Sequence, residues 1–284
     1  MTTTLGGTCL NCGAELQGRF CHACGQRVAP AFPTLREMIV DAWQELTIFD
    51  GRLARTVWLL VRHPGMLALE YLSGRRATYL PPLRLYLVAS VVFFLIAALV
   101  PSMSTARRTA TLPGREKVTI DLMDTTELTP AQREEAEKSI ERAPAFMQPL
   151  FRRAFFDRQS LRANMVAAFP RVLFVLVPVF AAIVAIFYWR PFSQHLVFAL
   201  YLHAAVFMTL AVARLANATR SVIVAGILEL TAMVFLVVYS QVSFRKVYGD
   251  SWPRVLVKSL GIGVLYLFAC VLGIAGAVIW SAWV

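Results

Sequence analysis

Apolar positions in this chain fall into two patterns. From residue 85 onward they form long blocks with no polar face: Leu85–Val100, Val172–Trp189, Leu196–Ala213, Ser221–Ser243 and Ser259–Val284. Each block approaches or exceeds the ~18 residues that cross a hydrocarbon core of roughly 30 Å. Such segments must be helical, because lipid offers no partner to a free backbone N–H or C=O. The pattern therefore predicts an all-α integral membrane protein with five transmembrane helices. Pro101 closes the first span, and Arg171 and Arg190 bracket the second. The fourth span holds one carboxylate, Glu229, and the fifth has no formally charged side chain.

The second pattern precedes the first span and is periodic. Leu35, Met38, Ile39, Ala42, Trp43, Leu46 and Phe49 recur at i, i+3, i+4 and i+7, which is one apolar helix face. Thr34 and Glu37 have capping-box spacing, and Gly51 follows the run. Two shorter helices are expected over 52–62, stopped by Pro64, and over 64–73. Amphipathic helices of this kind cover the cytoplasmic end of a membrane domain or lie in the headgroup plane; a groove for a partner helix is the other use. The loop after the first span divides by charge. Residues 116–141 hold eight acids and three bases, whereas 142–171 hold six bases and one acid. Thr129-Pro130 has the form of an N-cap followed by proline at the first helical position. The segment AQREEAEKSIER then reads as a solvated helix, polar nearly all round. The Phe- and Arg-rich stretch after it suits a helix on the outer interface that runs into the second span. The resulting domain boundaries are 1–30 for a cysteine-bearing tip, 31–82 for cytoplasmic or interfacial helices, 83–101 for the first transmembrane helix, 102–169 for an extramembrane loop domain and 170–284 for a four-helix transmembrane region.

Composition sharpens this picture. The chain is 58% hydrophobic and 16% charged, with mean hydropathy +0.61, whereas a soluble domain is about a quarter charged. Net charge is +11. Lysine and arginine beside spans set orientation first. With the N-terminus cytoplasmic, the short inner loops carry Arg190, Arg245, Lys246, Arg254 and Lys258, and the short outer loop only Arg214 and Arg220. Arg75, Arg76 and Arg84 flank the first span on the same inner side. This predicts a cytoplasmic N-terminus and a C-terminus outside. The opening MTTTLGGT has no basic and apolar run before the first cysteine, so the tip is expected to stay on the side of synthesis.

That side is reducing, which matters for the cysteines. Cys9-x2-Cys12-x8-Cys21-x2-Cys24 is a pair of CxxCG knuckles. Two such pairs supply a tetrahedral shell of four thiolates. Gly13 and Gly25 stand where the knuckle turn favours a left-handed residue. Zinc is the expected ion and structural; iron in the same shell is the alternative. Disulfides and a redox dithiol are disfavoured by the compartment and by the duplicated motif. His22 reads as a surface residue, since four sulfurs fill the shell. A closed shell has no open position for catalysis. The tip is then a small rigid surface, used to dock a cytoplasmic protein or to close against its own amphipathic helices. Nucleic acid is an unlikely partner, because the first 33 residues hold only Arg19 and Arg27 against Glu15.

Inside the spans, Glu229 and His203 are candidates for an intramembrane polar pocket. In antiparallel neighbours their depths differ by roughly two turns or less, and Tyr201 and Thr209 share the His203 span. The alternative is a neutral Glu229 that joins helices. One deep histidine is too few for haem ligation. Ala269, Gly273 and Ala277 form a small-residue face that permits close helix approach, within the chain or in a homo-oligomer. Trp280 and Trp283 suit an outer aromatic belt, and Cys270 reads as a packing residue. The phosphate-loop, HExxH, GxSxG and GxGxxG patterns do not occur, which lowers the expectation of an enzyme. The functional expectation is a non-enzymatic adaptor or assembly factor whose cytoplasmic tip docks a partner. The alternative is a transporter or channel-like protein using Glu229 and His203.

The first hundred residues resemble a widespread bacterial family of uncharacterised multi-span membrane proteins with an N-terminal zinc ribbon. The likeness is carried by Cys9, Cys12, Gly13, Phe20, Cys21, Cys24, Gly25 and Gln26, then FDGRLARTVWLLVRHPG (49–65) and EYLSGRRATYLPPLRLYL (70–87). The resemblance implies an inner-membrane location and a zinc ribbon, and no activity. Physically, Arg75 and Arg76 form an interfacial motif placed to meet membrane lipid phosphates, with Tyr79 as an anchor. Pro81-Pro82 sets the angle at which the first span begins.

Overall fold

A computed structural model of the chain describes residues 7–28, 51–100, 130–145, 147–216 and 221–283. The periodic stretch 34–49 and most of the acidic half of the loop lie outside the described residues, as does Arg220. Among the described residues the fold is all-helical, with nine helices and an N-terminal cluster of four cysteines. In chain order these are α1 (Arg52–Arg62), α2 (Met66–Leu72), α3 (Pro82–Leu99), α4 (Pro130–Arg142), α5 (Gln148–Phe156), α6 (Arg158–Phe187), α7 (Phe192–Ala216), α8 (Val222–Tyr248) and α9 (Trp252–Trp283). Five stretches are long and apolar enough to cross a membrane: Pro82–Leu99, Pro170–Phe187, Phe192–Leu215, Ile223–Tyr248 and Trp252–Ser281.

The expected helix over 52–62 is α1. It ends at His63, since Pro64 has no N–H to continue the ladder. Gly65 then adopts φ +75, and a side chain there would press on the Ser243 backbone at 3.1 Å. The spans run further than their apolar blocks. α8 continues through Arg245 and Lys246 to Tyr248, and α9 already includes Arg254 and Lys258. Cations expected in a loop are therefore helical, and protein groups engage them there: Lys258 pairs with Asp250 at 2.8 Å and Arg245 lies over the Trp252 ring at 4.6 Å. Gly249, at φ +76, caps α8. The stretch expected to run unbroken into the second span is interrupted. Asp157 leaves helical geometry and its Oδ1 accepts from the Ser160 amide, so the chain ends α5 and starts α6 there.

The chain divides into two compact units. One holds the described residues of Met1–Met103 and Phe180–Gly263, and the other those of Ser104–Val179 and Val264–Val284. In the first, α7 is central: 61% of its span is buried, against 11% for α8 and 6% for α9. Val197, Ala199 and Ala204 are fully enclosed. Phe207 of α7 meets Tyr86, Phe93 and Phe94 of α3 at 5.5 to 6.1 Å between ring centres. A second aromatic group joins Tyr188, Phe244 and Tyr248, whose rings stack with Tyr188 and Tyr248 at 4.0 Å. Arg190 closes this end by donating to Val247 O and Tyr248 O. In the second unit, Gly273 of α9 lies against Val172 and Leu176 of α6, where an added Cβ would stand 3.2 Å from Val172. Arg153 and Asn164 both donate to Ser281 O near the end of α9. The polar α4 buries Ala136 and Ile140.

Candidate metal centre

Residues 7–28 form two knuckles with the same bonding, twelve residues apart. In the first, Cys9 N donates to Ala14 O, Gly13 N to Cys9 O and Leu16 N to Gly7 O, all at 2.8 Å. In the second, Cys21 N donates to Gln26 O, Gly25 N to Cys21 O and Val28 N to Arg19 O, at 2.8 to 2.9 Å. Both turns pass through the left-handed region, Gly13 at φ +78 and Gly25 at φ +71. That conformation is strained for a residue with a Cβ, which explains the glycine after each CxxC.

The turns bring the four sulfurs of Cys9, Cys12, Cys21 and Cys24 within 4.8 Å of one another. Cys9 and Cys24 stand 3.6 Å apart and Cys12 and Cys21 3.5 Å apart. A disulfide needs about 2.05 Å. A tetrahedral ion with bonds of ~2.3 Å to sulfur sets edges of about 3.8 Å, which the cluster approaches. Its electrostatics ask for a cation. The Cys24 amide, followed by that of Ala23, holds the Cys21 thiol down at about 6 despite burial. At Cys12 the Ala14 amide pulls downward, but hydrogen bonding with Cys21, burial and the remaining sulfurs outweigh it and push the thiol up to about 12. A metal ion held by all four sulfurs would take the place of their protons. The cluster is thus compatible with a structural metal site.

The tip is mounted on the chain's own interfacial loop. The Gln26 carboxamide donates to Gly74 O at 2.7 Å and accepts from Arg76 N at 2.9 Å and Ala77 N at 3.0 Å. From the first knuckle, Asn11 Oδ1 accepts from the Thr78 hydroxyl at 2.9 Å. Leu10 lies on Gly74, which has φ +90 and where a Cβ would come within 2.5 Å of Leu10 Cδ1. The same loop is held from below. Arg52 of α1 donates to Ala77 O at 3.3 Å, Leu80 N donates to the buried Thr56 hydroxyl at 3.0 Å, and Tyr201 of α7 donates to Leu80 O at 2.9 Å. Protein groups thus satisfy the polar atoms of this non-helical stretch.

The expected interfacial residues are engaged there too. Arg75 pairs with the nearly buried Glu70 of α2, its Nη2 standing 2.7 Å from Oε1. That hydrogen bond, and then the charge, hold the guanidinium above its ordinary value. Arg76 stacks over Tyr71 at 5.0 Å, and Tyr79 is half-buried. His22 is exposed. Of the intramembrane pair, His203 Nδ1 bonds to Ala199 O of its own helix at 2.8 Å and its ring meets the edge of Phe180. Glu229 stands on the exposed face of α8. Ala269, Gly273 and Ala277 are all half-buried.

Sequence reasoning did not find the mounting residues. The first knuckle carries Leu10 and Asn11 where the second has His22 and Ala23, and after the glycine come Ala14 in one and Gln26 in the other. That asymmetry was the available signal. His195 was also missed. It is fully buried, with Nδ1 2.8 Å from the Tyr248 hydroxyl.

Comparison with known proteins places this geometry only in part. A family model described as a protein of unknown function (DUF3667) matches residues 50–94. The matched stretch takes in α1, α2, the mounting loop and most of α3, and stops short of the cysteines. No curated protein and no solved structure matches the chain.

Proposed function

We propose that the chain is a multi-pass protein of the bacterial inner membrane that acts as a non-enzymatic adaptor or assembly factor. Its N-terminus faces the cytoplasm and its C-terminus lies outside. Cys9, Cys12, Cys21 and Cys24 hold one structural zinc, with iron the alternative occupant of the same four-sulfur shell. The tip recruits a cytoplasmic protein. The observation that carries this reading is the mounting. Gln26, Asn11 and Leu10 fix one side of the tip to the 74–78 loop, and the tip also presents Phe20, 62% exposed, with the exposed Val28. A closed metal shell with an apolar surface on a fixed base suits protein docking better than chemistry.

Photo-crosslinking in cells from position 20 of the full-length protein tests it. One defined cytoplasmic partner should be captured and should be lost in Cys21→Ser. An identical cross-linking pattern in both proteins overturns the adaptor reading. The transport alternative separates on Glu229→Gln, which leaves partner capture intact under the adaptor reading and alters a flux under the other. Self-association through Ala269, Gly273 and Ala277 is a further part of the proposal. Gly273 already packs against α6, so Ala269 and Ala277 are the positions at which a second copy is to be sought.

A further inference from the structure

The first unit carries a groove that neither the tip nor the interfacial loop uses. It opens between α7 and α8, has a volume of about 460 Å³, and is lined by Ala205, Met208, Val212, Leu228, Ala232 and Phe235, with Val61 of α1 also contributing. That volume is on the scale of a small-molecule site. Three hydroxyl residues also line it, and each hydroxyl is used within the chain. Thr209 donates to Ala205 O, Thr231 to Ile227 O and Tyr239 to Leu60 O, at 2.8 to 2.9 Å. The groove therefore offers hydrocarbon and almost nothing polar. A sugar, nucleotide or ion entering it would lose water without gaining hydrogen bonds. An alkyl chain loses nothing.

Beside Val61, the lining residue that α1 contributes, the chemistry differs. Val61 shares one face of α1 with Trp58 and Arg62, at i−3 and i+1 on an amphipathic helix, and all three are exposed. The Arg62 guanidinium lies 4.6 Å over the Trp58 ring. Stacking on the indole pre-orders a planar cation whose donors match phosphate oxygens. An exposed tryptophan beside arginine is also the composition of a headgroup-level anchor. An apolar slot between two spans with a pre-ordered guanidinium at its margin has the form of one lipid: chain in the slot, phosphate at the arginine.

We propose that the α7–α8 groove is a binding site for an anionic phospholipid, with one acyl chain between Ala205, Leu228 and Ala232 and the headgroup held by Arg62. The proposal goes beyond the adaptor reading and does not depend on it. It identifies a specific site rather than the general wetting of a membrane protein by lipid.

Native mass spectrometry of the full-length protein, titrated with phosphatidylglycerol or phosphatidylcholine in detergent, tests it. The wild-type chain should bind one phosphatidylglycerol saturably and phosphatidylcholine about fivefold more weakly, the discrimination expected of one arginine near an anionic headgroup. Arg62→Gln, on an exposed position, should abolish the difference between the two lipids. Ala232→Phe should fill the slot and lower the affinity for both. Arg62→Gln is read independently should Ala232→Phe fail to fold. A headgroup preference that survives Arg62→Gln overturns the proposal. So does wild-type binding without saturation, or a lipid-free dimer that buries the groove.

Discussion

One amide side chain, that of Gln26, ties the tip to the backbone of the 74–77 loop. Removing it in Gln26→Ala strands two backbone N–H groups and a carbonyl of the 74–77 loop, at a cost on the order of 1–3 kcal/mol. The expected outcome is faster hydrogen exchange at Arg76 and Ala77 with metal content unchanged, read by mass spectrometry of the peptide over 73–80. Unaltered exchange would remove Gln26 from its assigned role. Gly74→Ala meets two obstacles, its φ of +90 and the Leu10 methyl 2.5 Å away. It should lower the melting temperature, and Leu10→Ala in the same chain should recover the steric share but not the backbone share of about 1 kcal/mol. Cys21→Ser should abolish stoichiometric metal, measured by elemental analysis of the purified protein. The cysteines and their glycines were legible because knuckle spacing dictates which atoms can meet. Gln26, Leu10 and Thr78 were not, because their partners lie about fifty residues or more away and no local pattern links them.

At the level of helices, hydropathy located all five spans but not their ends or their surroundings. Asp157 shows why ends are hard to see: a capping carboxylate inside a basic, aromatic run outweighs the run's helical periodicity. Surroundings are harder still. The spans have mean hydropathies of 2.2 to 2.5, yet 61% of the α7 span is buried and only 6% of the α9 span. A lipid-facing and a protein-facing helix are equally apolar, so the amount of hydrophobic surface does not separate them. Within α7 the close packing falls on small residues: Ala199, Ala204, Ala205 and Ala211 are enclosed. Ala204→Leu should accordingly destabilise the detergent-solubilised protein by about 1–3 kcal/mol through overpacking. Leu267→Ala, on the exposed face of α9, should change thermal unfolding little. Equal effects of the two would contradict the burial of α7.

For the whole molecule, five candidate spans among the described residues, an odd number, would put the two termini on opposite sides. A periplasm-active phosphatase fused after residue 284 should be active, and the same reporter fused to the N-terminus inactive; the reverse pair would invert the proposed orientation. The loop between Arg76 and Leu80 links three parts of the first unit. It draws its hydrogen-bond partners from the cysteine tip, from α1 and from α7. A segment so supported is a mechanical keystone: it stays seated only while every flank presses on it. Removing an ion held by the four cysteines is therefore expected to reach Leu80, the last residue before the proline pair that opens α3. A chemical event among the tip's thiols would then be sensed where the first long apolar helix begins.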